Sequence, residues 1–225
     1  KRMYVGFGGG DFFSRVEDDN YLNTGTGWPD DHYSNTGGSD QPFGFIAGGY
    51  TWERDSNWLP NYSLGLRLTY IPSITMSGVI DQYTLPGFRN YNYTYDVALM
   101  NLFGVAKIDI YRWHALMPYI LLGAGVTSYS STNYQEQATA GVTPRVSPDF
   151  GGGSGNNFAY QYGVGFDLAV RENLWVNLEF NYANYGKVNS GPGANYSTLT
   201  GTNYDNESLS NKLAGTAVLL GLTFY

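Results

Sequence analysis

The 225-residue sequence contains no cysteine, few charged residues and no long apolar run, and each absence excludes a class of protein. Without cysteine there is neither a disulfide scaffold nor thiol chemistry. Charged residues make up 14% of the chain, against about 25% in average soluble domains. The longest apolar stretch, Ala115–Val126, contains Pro118 and two glycines and falls short of the roughly 18 residues that indicate a transmembrane helix.

Basic residues are also scarce, with 12 Lys and Arg against 19 Asp and Glu and a net charge of −7. An acidic chain without a basic stripe argues against nucleic acid as a partner. What is abundant is tyrosine (21 residues) and glycine (30 residues), which suits a barrel with an aromatic girdle and a small-residue lumen. The chain begins at Lys1 with no apolar signal region, so we interpret it as a processed chain.

The clearest pattern in the sequence is the strict alternation within Phe158–Tyr185. Every second residue of Phe158–Val170 is apolar or aromatic, and those between are mostly small or polar. The alternation resumes after the break Arg171–Asn173. A period of two indicates β-strands, and two such runs across a short polar break indicate a hairpin. Each arm reaches the ~9–11 residues that a tilted strand needs to cross a bilayer.

Six further segments alternate in the same way and bring the predicted strands to eight: Met3–Phe13, Phe43–Arg54, Asn61–Ile71, Thr94–Ile110, Leu116–Ser130 and Asn211–Tyr225. Long and short links alternate between the strands. The long links are Ser14–Gln41, Pro72–Tyr93, Ser131–Asn156 and Gly186–Ser210. Long loops at one end and short turns at the other are typical of outer-membrane barrels.

We therefore predict an all-β fold: a closed, antiparallel, eight-stranded up-and-down transmembrane β-barrel, with residues 1–225 forming one domain. It has four long external loops, three short periplasmic turns and both termini on the periplasmic side. A soluble barrel such as a lipocalin is the main alternative, but it places its apolar face inward, whereas here the inward residues are polar or small. A tenth strand hidden in Pro72–Tyr93 or Ser131–Asn156 is a second alternative.

Four charged residues fall on the inward parity of four different strands, at similar depth near the short turns: Arg67, Lys107, Asp167 and Glu179. Burying an unpaired charge is very costly, so the two cations and two carboxylates are expected to pair. An eight-stranded barrel has an interior just wide enough for side chains. We predict a charged plug of the lumen, with a narrow polar channel for ions or small solutes as the alternative.

Two groups outside the lumen are candidates for contact with the membrane. Tryptophans near the short turns are expected to form a periplasmic interfacial belt, and these are Trp52, Trp58, Trp113 and Trp175. In the first long loop, Glu17, Asp18 and Asp19 offer hard oxygen ligands that suit Ca²⁺. They lack the spacing of a calcium-binding loop, so we predict no metal site. They remain a candidate for divalent-bridged contact with lipopolysaccharide, against the plainer interpretation of a solvated loop.

Catalysis has one candidate at the loop end, His32 beside Asp30 and Asp31. A lipid-A-modifying enzyme needs a histidine, a carboxylate and a serine that converge on a rigid element. Because His32 lies deep in a predicted loop, we predict no catalytic residues and no cofactor, and an enzyme is the least favoured reading.

Four segments carry a resemblance to a known family: Tyr4–Gly10, Pro118–Val126, Phe158–Gly165 and Gly221–Tyr225. In these the chain resembles the small eight-stranded outer-membrane β-barrels of Gram-negative bacteria, such as the membrane domain of outer-membrane protein A and the opacity-type barrels. The family usually ends on an outward aromatic residue, whereas alternation places Phe224 outward and Tyr225 inward.

The resemblance implies partners and a range of functions. It implies recognition of the C-terminal strand by the barrel-assembly machinery, contact with outer-membrane lipid and lipopolysaccharide, and binding of a host or surface ligand by the loops. The family includes adhesins, narrow pores, structural anchors and lipid-modifying enzymes. We predict a non-enzymatic outer-membrane barrel whose loops serve adhesion or interaction.

Overall fold

The computed structural model describes residues 1–23, 29–145, 148–196, 203–204 and 207–225. Within these ranges the strands are β1 (Arg2–Glu17), β2 (Asn20–Leu22), β3 (Asp31–Gly38), β4 (Gln41–Glu53), β5 (Asn61–Asp81), β6 (Arg89–Asp109), β7 (Leu116–Ala138), β8 (Asp149–Phe150), β9 (Gly153–Arg171), β10 (Leu174–Asn189), β11 (Gly193–Tyr196), β12 (Asn203–Tyr204) and β13 (Ser210–Phe224). Two single-turn 3₁₀ helices, Gln82–Thr84 and Pro86–Phe88, lie between β5 and β6. The described part of the chain contains no helix long and apolar enough to cross a membrane.

A closed ring of antiparallel pairs organises the molecule, in the order β1, β4, β5, β6, β7, β9, β10, β13 and back to β1. Closure gives every ring strand two hydrogen-bonded neighbours and leaves no edge. Three links, 54–60, 110–115 and 172–173, are short and lie at one end. Both termini lie at that end too, since Arg2 pairs with Glu53 at 3.1 Å and Tyr225 N donates to Asn173 O at 3.0 Å.

The outward face of the ring is apolar, as the alternation predicted. On β9, Phe158 is 69% exposed and Val164 is 55% exposed, while Gln161 and Asp167 on the opposite face are buried. The same holds on β5, where Leu64 and Leu66 point out. These side chains point away from the lumen, so the barrel body presents a belt of aliphatic and aromatic residues to its surroundings.

Within the described residues, β-strands extend into all four long segments predicted as loops, and this is the main correction to the sequence analysis. β5 and β6 run through most of Pro72–Tyr93, which is a hairpin tipped by the two 3₁₀ turns. β7 and β9 extend into Ser131–Asn156. β3 pairs with the part of β5 that continues past the end of β4. Inward residues such as Ile74 and Met76 bury fully, so these strand extensions gain a core of their own.

We call the part of the molecule beyond the apolar belt, away from the short turns, the crown. It comprises β2, β3, β8 and the ends of the ring strands, which begin beyond Phe13 on β1, Tyr70 on β5 and Val126 on β7, and which on β9 precede Phe158. Its interior is a packed apolar core that includes Tyr33, Ile71, Ile74, Met76, Ile80, Tyr93, Tyr95, Val97, Leu99, Phe150, Val188, Leu209 and Leu213. The crown therefore fills the end of the barrel opposite the short turns.

Candidate functional site

The centre of the lumen is occupied by a bidentate ion pair between two of the predicted residues. Arg67 Nη1 donates to Glu179 Oε1 at 2.7 Å, and Arg67 Nη2 donates to Glu179 Oε2 at 2.9 Å. The Tyr119 hydroxyl donates to the same carboxylate at 3.0 Å, and Asn181 Nδ2 donates to it at 3.1 Å. Parallel guanidinium–carboxylate bonds are strong and directional, so the pair bridges β5 and β10 across the barrel.

The other two predicted residues form a second pair nearer the short turns. The Lys107 ammonium contacts the Asp167 carboxylate, and it lies 3.6 Å from Asp109 Oδ1. Asn177 Nδ2 donates to Asp167 at 2.5 Å, and Asn61 Nδ2 donates to Asp109 at 2.5 Å. Asp109 thus adds a third buried carboxylate to the four charges that the sequence analysis predicted.

Glycine makes room for this network at one position. A Cβ atom at Gly165 would overlap the ring of Tyr119, which lies opposite it in the β7–β9 register. Without a side chain at Gly165, the Tyr119 ring crosses the strand and its hydroxyl reaches Glu179. The sequence analysis gave Tyr119 no role, because an alternation pattern does not reveal which lumen residues touch.

The space left in the lumen is small and divided. One cavity of about 50 Å³ is lined by Tyr4, Arg67, Lys107, Tyr119 and Tyr225, among others. Another, of about 10 Å³, lies between Arg67 and the crown core, beside Phe12 and Gln161. A single water needs about 10–15 Å³ of such volume, so the larger cavity has room for only a few waters and the smaller one for at most one, and Arg67 borders both.

Three of the four tryptophans predicted for the interfacial belt lie on the outside of the short-turn end. Trp58 and Trp113 are 66% and 64% exposed, and Trp52 is also exposed. Trp175 is 6% exposed and faces the lumen, where its ring lies 4.8 Å from that of Tyr225. The prediction that Trp175 belongs to the interfacial belt was therefore wrong. Trp175 has the inward parity on β10, and proximity to a turn does not change which face of the sheet a residue occupies.

The three acidic residues of the first long segment do not converge. Glu17 pairs with Arg15 at 2.9 Å, Asp18 with Lys187 at 3.4 Å, and Asp19 with His32 at 3.2 Å. The three carboxylates contact different basic side chains, so they do not share a centre for a divalent ion. Across the described residues, no group of three or more His, Cys, Asp or Glu side chains is placed to hold a metal.

His32 is held on β3 and not in a loop. Its Nε2 lies 3.2 Å from Asp19 and its Nδ1 lies 3.9 Å from Asp81, so its carboxylate contacts are not Asp30 or Asp31. Ser34 Oγ lies 3.4 Å and 3.3 Å from the two ring nitrogens. A serine almost equidistant from both nitrogens lies beside the ring, whereas a nucleophile relay needs the serine and the carboxylate on different nitrogens.

A second buried ion cluster, which the sequence analysis did not anticipate, lies in the crown. Arg145 donates to Asp31 through Nη1 at 2.7 Å and to Glu136 through Nε at 2.7 Å. Arg145 Nη2 also donates to the Tyr33 hydroxyl at 3.0 Å, and burial raises the pKa of Tyr33 well above its ordinary value. The cluster ties the segment after β7 to β3, which lies far from it in sequence.

Comparison with known proteins agrees with this architecture. No protein-family model matches the chain. The chain is 29% identical over 116 residues to outer membrane protein PagN of Salmonella typhimurium (strain LT2), a match that covers 52% of this chain and 45% of that protein. The chain thus spans less than half the length of this relative.

Among solved structures, one superposition supports a shared fold. The outer membrane protease OmpT of Escherichia coli superposes with a TM-score of 0.51 at 14% identity, over 99% of this chain and 96% of that one. Neisserial surface protein A superposes with a TM-score of 0.44 at 12% identity, over 98% of each chain. The closed antiparallel ring and the apolar outer belt thus give the chain the fold of the small outer-membrane β-barrels of Gram-negative bacteria, and its sequence is similar to that of one outer membrane protein of such a bacterium.

Proposed function

We propose that the protein is a non-enzymatic surface barrel with a closed lumen, which presents its crown to the outside for adhesion or interaction. The observation that carries the proposal is the double closure of the lumen. The Arg67–Glu179 and Lys107–Asp167 pairs fill the half near the short turns, and the apolar crown core fills the other half. A conducting path needs a continuous polar passage, and the ion pairs and the apolar core both lie across the lumen.

The orientation and the interaction surface belong to the same proposal. With the short turns and both termini in the periplasm, the crown faces outward. Its outer end carries exposed apolar residues where the surroundings are polar, namely Tyr21 on β2 and Leu85 and Phe88 at the β5–β6 tip. Exposed aromatic and aliphatic groups of this kind are enriched at the centres of protein interfaces. These supports favour binding of a partner over catalysis.

Conductance across a planar bilayer tests the closed lumen. We expect no steady single-channel steps from the refolded wild-type protein. A narrow channel for ions or small solutes is the alternative. It predicts steady steps that change when Arg67 or Glu179 is replaced by Ala, and that result would overturn the closed lumen.

Attachment of bacteria that display the protein tests the surface role. We expect Leu85→Ser/Phe88→Ser to reduce attachment to host cells or matrix, while Leu59→Ser at the short-turn end leaves it unchanged. Equal attachment by both variants would contradict a role for the crown tip. Lipid A mass spectrometry of the same strains addresses the enzyme alternative, with His32→Ala as the matched variant. A modification that disappears in that variant would replace the non-enzymatic proposal.

A further inference from the structure

The negative charge of the chain is concentrated in the crown. The described parts of residues 14–41, 71–99, 127–157 and 184–213 contain eleven Asp and Glu against five Lys and Arg, whereas the other described residues contain seven of each sign. A surface with one predominant sign of charge attracts partners of the opposite sign. The outer end of the molecule is therefore suited to a basic partner.

A pocket inside this acidic crown already holds a guanidinium group. Arg145 Nη1 donates to Asp31 at 2.7 Å, and Nε and Nη2 donate to the two carboxylate oxygens of Glu136 at 2.7 Å and 3.2 Å. Nη2 also donates to the Tyr33 hydroxyl at 3.0 Å, and the guanidinium carbon lies 4.5 Å from the centre of the Tyr91 ring. We call Asp31, Tyr33, Tyr91 and Glu136 the guanidinium pocket. It matches a planar group that donates from three nitrogens and stacks on a ring, a shape that a lysine ammonium lacks.

The walls and the occupant of the pocket come from different kinds of structure. The walls lie on β3, β6 and β7, which are paired strands. Arg145 instead belongs to residues 139–145, which lie outside the strands and which we call the strap. Most residues of the strap are exposed. Val142 packs against the crown core, and the Thr143 carbonyl accepts a hydrogen bond from the Tyr91 hydroxyl at 3.0 Å. Displacement of the strap therefore opens the pocket to the outside and leaves the strand pairs of its walls intact.

The pocket requires a cation whether or not the strap is in place. The side chains of Asp31 and Glu136 are 1% and 7% exposed, and among the described residues Arg145 is the only cation that pairs with either of them. Two buried carboxylates without a cation are very costly. Arg145 is thus an internal ligand, and its short tether gives it an effective concentration on the order of millimolar against a guanidinium from outside.

We propose that the guanidinium pocket binds an arginine side chain of a basic partner polypeptide, and that this arginine displaces Arg145 and the strap. Two observations carry the proposal: the fit of the walls to a guanidinium, and the surplus of carboxylates around them. The inference rests on the proposed surface role and deepens it, because it names the chemical class of the partner. Sulfated or phosphorylated polymers are the disfavoured class, since the crown repels them.

Binding of a fluorescent peptide to the full chain in detergent micelles tests the proposal, with a peptide of four Gly-Arg repeats as the probe. We expect Arg145→Ala to bind this peptide about tenfold more tightly than the wild type, because the internal competitor is gone. A peptide of four Gly-Lys repeats carries the same charge and is expected to bind Arg145→Ala more weakly. The matched control, Lys187→Ala, removes the same charge from the outer surface of the crown, where Lys187 pairs with Asp18, and is expected to bind like the wild type.

Two further variants test the displacement where the pocket or the strap is changed separately. Val142→Ser weakens the packing of the strap but keeps Arg145 and the pocket, and it is expected to bind the arginine peptide more tightly than the wild type. Arg145→Ala/Glu136→Gln removes one wall and is expected to lose the gain of Arg145→Ala. Circular dichroism verifies that each variant folds.

Equal affinity of the wild type, Arg145→Ala and Val142→Ser for the arginine peptide would overturn the pocket. Tighter binding of a sulfated oligosaccharide than of the peptide would overturn the basic partner. If either result is obtained while Leu85→Ser/Phe88→Ser still reduces attachment, the surface role stands and only the pocket is refuted.

Discussion

At the scale of single residues, the lumen depends on charges that are stable only as pairs. Arg67 and Glu179 are both buried and satisfy each other with two hydrogen bonds. Two ions removed from water gain little net free energy by pairing, but either one alone is left buried and uncompensated. The sequence analysis predicted that these residues point inward. It had no means of predicting which cation meets which carboxylate, because that depends on the stagger of the strands around the ring.

Replacing one member of the pair is therefore expected to destabilise the barrel more than replacing both. Arg67→Leu leaves Glu179 without its partner and is expected to cost about 3–5 kcal/mol of unfolding free energy. Arg67→Leu/Glu179→Leu removes both charges and is expected to recover most of that loss. Urea unfolding in detergent micelles measures both, and additive losses in the double variant would contradict the pairing.

The ion pair between Arg89 and Asp81 in the crown makes the stability of the β5–β6 hairpin tip depend on pH. Arg89 donates to Asp81 at 2.8 Å and 3.0 Å, and this hydrogen bonding lowers the pKa of the Asp81 carboxyl below its ordinary value. A lowered folded-state pKa contributes stability that is present above the unfolded-state value, near 4, and lost as the pH falls through the folded value.

We accordingly expect the tip, residues 82–88, to loosen as the pH is lowered below about 4. Hydrogen exchange of the tip amides as a function of pH measures this, after correction for the intrinsic exchange rate. Asp81→Asn provides the control, since its tip is expected to be less protected at neutral pH and to lack the acid-dependent change. A wild-type profile that matches that of Asp81→Asn would exclude the mechanism.

At the scale of elements, the strands extend beyond their predicted ends because the polarity of the two faces reverses. In the barrel body, β5 points Leu64 and Leu66 outward, whereas in the crown it points Ile74 and Met76 inward. The two faces of β5 exchange at the irregularity between Ile71 and Ile74, where the register with β6 shifts, so residues of the same parity turn from the outer face to the interior. The sequence analysis followed an apolar outward face, so it ended each strand where that face became polar. Alternation with the apolar residues facing inward is typical of soluble β-structure. The strands of the crown were therefore predictable from the sequence, if the apolar residues had been assigned to the inner face.

Close contact between strands makes some glycines irreplaceable and others not. A Cβ atom at Gly125 on β7 would overlap the carbonyl oxygen of Leu102, while one at Gly104 on β6 would lie 3.7 Å from Ala124 O, an ordinary contact. Gly125→Ala is expected to lower stability by more than 1 kcal/mol, roughly the scale of a forced backbone shift. Gly104→Ala serves as the matched control and is expected to be tolerated. Similar midpoints for the two variants in urea would contradict the close approach.

At the scale of the whole molecule, the ring strands form a membrane-type barrel in the body and continue into a crown that resembles a soluble β-protein. The body turns its apolar residues outward and holds ion pairs inside, while the crown encloses an apolar core. The closed ring and the short turns were predictable from alternation and spacing. The crown core was not, because the β3–β5 pairing and the Arg145 contacts join segments distant in sequence.

This division predicts that the crown is as rigid as the body. Amides of residues 74–80 and 91–97 are expected to exchange with solvent as slowly as those of the barrel body, because they are hydrogen-bonded and cover a packed core. Residues 83–88 at the tip, which lie outside the strands, are the internal control and are expected to exchange faster. Exchange of residues 74–80 at the rate of the tip would show that the extensions are loops in solution.

The ring closes through the pairing of β1 with β13, in which Val5 lies opposite Phe224. These partners are separated by almost the whole chain, so the entropy of bringing them together is lost before closure returns any hydrogen bonds. The barrel therefore has no stable half: an incomplete chain exposes the edges of β1 and of its last strand to any other β-segment. The barrel is therefore expected to close only after β13 has been synthesised. Between that moment and the pairing of β1 with β13, the chain is most exposed to wrong pairing with other β-segments.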